Sequence, residues 1–301
     1  MSDDPIRVTG LTKKFRWTPV LKGIELAVPR GAVFALIGPN GAGKTTTIKI
    51  LMNILRPTSG RAEVLGIESR RLRGPDFTRI GYVSENQEMP DWMTVEYFLA
   101  YLRPFYPAWD TELAAQLVKQ FNLPGDRRLR HLSRGMRMKA ALASSLAYRP
   151  EVVVLDEPFT GLDPLARDEF IEGLLERSEN TTVFISSHDL ADIETFASHI
   201  AYLDNGRIQF SEELAALSNR FREIEITFET APSLPADWPA TWLKPESSAA
   251  VIRFTESRWD AERTTAEIRA RFPNARDISA TPIPLRTIFV TVAKAAQSAA
   301  A

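Results

Sequence analysis

The chain of 301 residues contains no cysteine and only three histidines. The lack of thiols excludes a disulfide framework and thiolate chemistry. Charge is nearly balanced, at −1 overall, so there is no basic footprint of the kind a nucleic-acid binder carries. Long apolar runs are missing too. The most continuous ones, residues 32–37 and 152–155, fall far short of the roughly 20 residues a membrane-spanning helix needs. The opening MSDDPIRV is acidic and lacks the basic and then apolar blocks of a secretory signal. These absences lead us to expect a soluble, cytoplasmic chain whose membrane role, if it has one, needs a partner chain. The length suggests two domains, the first large enough to bury a real core.

What is present centres on residues 33–55, VFALIGPNGAGKTTTIKILMNIL. Residues 33–37 read as a buried strand. A glycine-rich turn, Gly38 to Gly43, leads into Lys44 and Thr45. Apolar residues then fall at Ile48, Leu51, Met52 and Leu55, the helical period. Strand, glycine loop, Lys-Thr and helix form the context of a phosphate-binding loop. Gly38, Gly41 and Gly43 allow backbone conformations that a Cβ forbids, so that loop N–H groups point inward. Lys44 can reach the β and γ phosphates, and the Thr45 hydroxyl can meet Mg²⁺.

Residues 6–30 read as two strands and a turn, with Phe15 and Trp17 in the connection. Those rings are placed either to anchor the hairpin or to stack on a nucleobase. RPTSGRAEVLG, residues 56–66, reads as a turn, a short strand and another turn, and a further short strand is expected at 80–83. Seven of the 28 aromatics then fall between Trp92 and Trp109: these two, Tyr97, Phe98, Tyr101, Phe105 and Tyr106. They read either as core of a helical subdomain or, in part, as an exposed docking surface. A helix is expected over 112–123. In LSRGMRMKAALASSLAY, Ser133 caps a helix, and Ser133 with Gly135 at its start is a possible anion site. In EVVVLDEPFTGLD, residues 152–155 form a strand buried on both faces, with Asp156 and Glu157 at its end. We assign Asp156 to the Mg²⁺ shell and Glu157 to activation of water. Asp163 caps the next helix, with Pro164 at its first position. His188 follows a strand at 183–185 on the same edge, whereas His131 and His199 read as structural. A hairpin through Asp204, Asn205 and Gly206 closes this region.

Taken together these pieces resemble the nucleotide-binding subunit of an ABC transporter, over residues 1 to about 217. GPNGAGKTT corresponds to the family's Walker A loop and brings Pro39, Asn40, Ala42 and Thr46 into the phosphate site. LSRGM stands where the family has LSGGQ, so Arg134 and Met136 replace glycine and glutamine. VVVLDEP is Walker B with its catalytic glutamate, TGLD is the D-loop, and His188 is the switch histidine. Phe15 matches the aromatic residue that stacks on adenine. The family's Q-loop glutamine is replaced by Glu85 in IGYVSENQ, which can meet the Mg²⁺ water shell. Gln87 serves instead if the loop register shifts.

The resemblance implies an α/β fold, the P-loop ABC ATPase cassette. It has a mixed sheet core, an antiparallel β subdomain and a helical subdomain over about 86–148, and it ends near residue 219. It implies ATP and Mg²⁺ as cofactors, and head-to-tail pairing, as homodimer or heterodimer, with each ATP between one Walker A loop and the partner's Ser133–Gly135 segment. It further implies docking of a membrane permease near residues 85–109, placing the chain on the cytoplasmic face of the inner membrane. The variants look most like drug and antibiotic exporter subunits. A soluble ABC-type ATPase acting on nucleic acid or ribosomes is the alternative; a non-hydrolysing adaptor fits poorly with intact Asp156, Glu157 and His188. Past residue 220 we expect a small α+β domain to 293. Its strands are at Ile224, Ile226 and Phe228, and at Ile252 and Phe254. A proline-rich loop carries Trp238 and Trp242, and a helix follows that is capped by Ser257. Ile278 lies in another short strand and a closing helix ends the domain. Residues 294–301 read as a disordered tail.

Overall fold

A computed structural model describes residues 4–176, 181–232, 235 and 237–300. The chain divides into two compact units, Met1–Ser211 and Glu212–Ala301. The first unit begins with β1 (Ile6–Phe15) and β2 (Thr18–Val28), followed by β3 (Val33–Ile37), α1 (Lys44–Leu51), β4 (Ser59–Val64), β5 (Ile67–Glu68) and β6 (Ile80–Val83). Three helices come next: α2 (Val95–Leu102), α3 (Thr111–Gln120) and α4 (Arg134–Leu146). Then β7 (Val152–Asp156), α5 (Pro164–Leu175), β8 (Thr182–Ser187), β9 (His199–Asp204) and β10 (Arg207–Glu213) complete the element order up to the junction.

Two sheets result. One is antiparallel, in the order β2-β1-β4-β5. The other runs β10-β9-β3-β8-β7-β6, with β9, β3, β8, β7 and β6 parallel. Every residue of β3, β7 and β8 is buried, as strands covered on both faces must be. The β9–β10 turn uses Asn205 (φ 48°) and Gly206 (φ 74°), the left-handed pair that suits a tight hairpin. Helix α4 packs on α3 and α2 and buries its alanine face, with Ala140 and Ala143 fully enclosed.

Two helices are shorter than the apolar period suggests. Helix α1 stops at Leu51 rather than running to Leu55, because Asn53 turns left-handed (φ 56°). Asn53 N then donates to Ile50 O (3.1 Å) and Ile54 N to Lys49 O (2.8 Å), a Schellman closure. Helix α3 ends the same way at Gln120. There Asn122 has φ 51°, with Asn122 N donating to Lys119 O (3.1 Å) and Leu123 N to Val118 O (2.9 Å).

The second unit contains α6 (Leu214–Arg220), β11 (Arg222–Thr227), β12 (Trp242–Ser248), β13 (Val251–Glu256), α7 (Ala261–Arg271), β14 (Asp277–Pro282) and α8 (Leu285–Ala300). Its antiparallel sheet has the order β12-β13-β11-β14. Ile224, Ile226, Ile252, Phe254 and Ile268 gather around Trp242, whose ring stacks on Phe254 at 4.2 Å.

Four expectations are corrected here. The division falls at 211/212 rather than 219/220. Helix α6 belongs with the second unit: Arg220 binds Glu212 through two hydrogen bonds (2.6 and 2.8 Å) and donates to Ser257 O (2.6 Å), while Leu217 and Phe221 are buried. The stretch read as proline-rich loop contains strand β12 from Trp242 onward. It tolerates Pro245 because it is an edge strand with a register shift between Leu243 and Glu246. Helix α7 is capped by Asp260, whose Oδ1 accepts from Arg263 N (2.8 Å); Ser257 Oγ is spent on Thr241 O (2.9 Å). The segment read as a disordered tail continues α8 to Ala300, in keeping with the high helix propensity of alanine; residue 301 lies outside the described residues.

Candidate active site

Strand register assembles the site. Ile37 pairs with Ser187, Asp156 with Ser186, and Val83 with Leu155. The residues after each strand therefore emerge along one edge: Gly38, Glu157, His188 and, two beyond Val83, Glu85. This is the carboxyl end of an open parallel sheet, where ligands collect.

The loop after β3 needs its glycines. A Cβ on Gly38 would collide with the Leu203 carbonyl oxygen, and Gly43 sits at φ 115° against Leu21. Lys44 then folds back over the loop. Its Nζ donates to Gly38 O (2.7 Å) and Pro39 O (3.2 Å), and lies 3.1 Å from Glu157 Oε1. The other oxygen of Glu157, Oε2, is 2.7 Å from His188 Nδ1. Glu157 itself is held in the left-handed region (φ 50°), a conformation that costs about 1 kcal/mol or more for a non-glycine residue. Its N–H donates to Ser186 Oγ (3.0 Å), which secures it.

Asp156 sits one step back. Its Oδ1 accepts from Ser186 Oγ (2.7 Å) and Thr45 Oγ1 (3.0 Å). Burial pushes its carboxyl above the ordinary range, the two hydroxyl donors oppose this, and Glu157 and Glu85 add to it. Beside it, burial and the Asp156 charge push the Tyr82 phenol up to about 12.

A cavity of about 320 Å³ opens over these groups. Asn40, Gly41, Gly43, Lys44, Thr45, Thr46, Glu85 and Glu157, all expected from sequence, line it, and so does Val20, which was not. Phe15 does not line it; that ring is 44% exposed at the end of β1, with Lys13 Nζ 4.9 Å from its centre. Ser133 and Gly135 are also outside it, at the start of α4, where Ser133 Oγ accepts from Met136 N (3.2 Å). Gln87 is committed elsewhere, its Oε1 accepting from Ser84 N (3.1 Å) and Ser84 Oγ (3.2 Å), which leaves Glu85 facing the cavity. Ser186 was missed in sequence; its signal is a pair of small hydroxyl residues, Ser186 and Ser187, at the end of a strand with an apolar centre.

The arrangement suits a magnesium–nucleotide complex. Among the described residues no group of three His, Asp or Glu side chains could cage a cation. Thr45 Oγ1 and Asp156 supply hydroxyl and carboxylate oxygen, the sparse, hard donor set of a cation that takes its remaining ligands from water and phosphate.

Asp156 carries a testable cost. Its folded form binds a proton more tightly than the unfolded chain does. Stability of the nucleotide-free protein therefore falls as pH rises from the ordinary carboxylate range through the raised value, and the loss is complete above it. Asp156→Asn is expected to raise the melting temperature at pH 8 by on the order of 2 °C, a gain that shrinks toward pH 5, while weakening Mg²⁺-dependent nucleotide binding. Scanning fluorimetry across pH measures the first and a nucleotide titration the second.

Comparison with known proteins identifies the family and the fold. The family model for ABC transporters matches residues 21–160. An uncharacterized ABC transporter ATP-binding protein of Synechocystis is 36% identical over 69% of this chain and 61% of its own length. The daunorubicin resistance ATP-binding protein DrrA3 of Streptomyces coeruleorubidus is 35% identical over 69% of this chain and 68% of its own. The solved structure of an ATP-binding subunit of an ABC transporter superposes with a TM-score of 0.64 at 28% identity, over 71% of this chain and 92% of that one. The chain spans about three-fifths of the length of the Synechocystis relative. A glycine cradle with its lysine, a hydroxyl–carboxylate pair and a glutamate held between lysine and histidine thus stand on a shared fold, and the chain belongs to the ABC transporter ATP-binding proteins, the ABC ATPase family.

Proposed function

We propose that this chain binds and hydrolyses ATP and powers transport, in the direction of export, through a permease carried on a separate chain. Two copies, or one copy and a related ATPase chain, pair head to tail around two ATP. The observation that carries this is the Glu157 carboxylate, buried between Lys44 (3.1 Å) and His188 (2.7 Å) at the mouth of the glycine loop. In the free chain Lys44 neutralises Glu157. When phosphate enters, Lys44 gives its N–H donors to phosphate oxygens, and Glu157 is released as a proton acceptor for water. His188 orients Glu157 and contacts the terminal phosphate. Thr45 and Asp156 would hold Mg²⁺, which would supply charge neutralisation to the transferring phosphoryl group. Ser133 and Gly135 complete the site of the partner copy, and Phe15 stacks on the base.

Among the described residues no helix is long and apolar enough to cross a membrane. Trp92 (62%), Tyr97 (53%), Tyr101 (48%) and Phe105 (60%) are exposed, whereas Phe98 is buried. Exposed aromatics this close in sequence, following the loop that carries Glu85, suit a docking surface on the cytoplasmic face of the inner membrane. Daunorubicin resistance in the Streptomyces relative points to drugs or antibiotics as cargo. The test is affinity purification from solubilised membranes. An integral membrane chain is expected to co-purify, and replacing Tyr97 and Tyr101 together by serine is expected to reduce its recovery about tenfold without changing ATP affinity. Recovery of nucleic acid or ribosomes instead would overturn the transport reading.

A further inference from the structure

The two charged departures from the family pattern are Glu85 in place of glutamine and Arg134 in place of glycine. In the folded chain they face each other, with Arg134 Nη2 3.8 Å from Glu85 Oε1. That separation is an ion pair without a hydrogen bond. The two side chains are 48% and 38% exposed, so water and salt screen their attraction. Arg137, three residues along α4, behaves differently: it donates to Asp91 Oδ1 at 2.9 Å and to Leu129 O at 3.4 Å. Arg137 is a fixed anchor, and Arg134 is loosely held. Glu85 lines the nucleotide cavity, and it also lines the neighbouring cavity, of about 380 Å³, together with Arg134. The Arg134 side chain lies across Gly161 of the TGLD turn, where a Cβ would be 3.4 Å from its Cδ and Nε.

We propose that Arg134 is a phosphate-binding residue for the nucleotide held by a second copy, and that Glu85 is the counter-charge occupying it until that nucleotide arrives. The inference rests on the paired reading given above. A guanidinium offers a phosphate two parallel charge-assisted hydrogen bonds, which a glycine at this position lacks. A weak, screened pair with one carboxylate is readily exchanged for a multiply charged phosphate. The start of α4 adds its partial positive charge at the same point, and the loss of Arg134 leaves Glu85 free to face the cation in its own cavity.

The test is ATP-driven dimerisation in the Glu157→Gln background, followed by analytical ultracentrifugation with Mg²⁺. Adding Arg134→Ala is expected to raise the ATP needed for half-dimerisation about tenfold, and Arg134→Lys to recover part of that loss. Adding Glu85→Gln is expected to lower it about threefold, because glutamine keeps an oxygen for the cation's water shell but releases Arg134. The Glu85→Gln, Arg134→Ala combination should match Arg134→Ala alone. A purely structural pair predicts that both single changes weaken the dimer alike, which would overturn the proposal. An unchanged dimer in Arg134→Ala, with Glu157→Gln alone dimerising normally, would overturn this inference only. A Glu157→Gln protein that never dimerises would overturn the paired reading and this inference together. Thermal melts of each variant confirm that the fold is intact.

Discussion

Glu157→Gln is expected to cut steady ATP turnover by at least about 10²-fold while ATP-bound dimers accumulate. The substitution keeps the size of the side chain and its hydrogen-bonding reach to His188 Nδ1, 2.7 Å away in the native chain. It removes the negative charge, and with it the capacity to accept a proton from water. Nucleotide affinity should hold or improve, because the ion pair that Lys44 makes with Glu157 Oε1 at 3.1 Å no longer competes with phosphate. Phosphate-release assays read the turnover, and scattering of the ATP-bound protein reads its mass. Undiminished turnover would remove Glu157 from the base role and with it the hydrolysis scheme.

Lys44→Ala should produce the largest loss of binding. Lys44 is the charged donor of the glycine loop, and hydrogen bonds from a charged donor contribute about 1.5–3 kcal/mol, so ATP affinity should fall by ten- to a hundredfold. A second effect follows from burial. Lys44 is 5% exposed and Glu157 7%, so deleting the lysine leaves a buried carboxylate with His188 Nδ1 at 2.7 Å and a long hydrogen bond from Thr160 Oγ1 at 3.5 Å, and no cation held against it. Breaking a buried pair in this way costs about 3 kcal/mol, and the nucleotide-free melting temperature should drop by roughly 6–12 °C. Adding Glu157→Gln to Lys44→Ala should restore most of the stability and none of the binding. Isothermal titration and thermal melts on the two proteins separate the contributions. A double variant no more stable than Lys44→Ala would mean that the ion pair is not what the lysine stabilises.

Much of this was legible residue by residue. Ser133 and Asp163 cap their helices as expected, accepting from Met136 N (3.2 Å) and Ala166 N (2.9 Å). The glycine loop, the apolar strands and the acids that follow them are also local signals. Several misses were local too: Asn53 and Asn122 end their helices in a conformation more often taken by glycine, and Asp260 displaces Ser257 as a cap because it stands directly before the helix. Strand β12 was hidden by Pro245, which a central strand would not accept and an edge strand does.

The sequence by itself determined which segments would be strand, loop and helix around the phosphate loop, and which side chains are the candidates for the chemistry. These depend on interactions within a few residues: backbone freedom at glycine, capping and apolar period. Tertiary structure alone decided that Glu157 meets both Lys44 and His188, that Ser186 holds Asp156, that Phe98 is buried while Tyr97 and Tyr101 are exposed, and that Glu85 and Arg134 face each other. Each of those contacts is set by strand register and layer packing between segments far apart in the chain, and a one-residue slip in register would undo the first two.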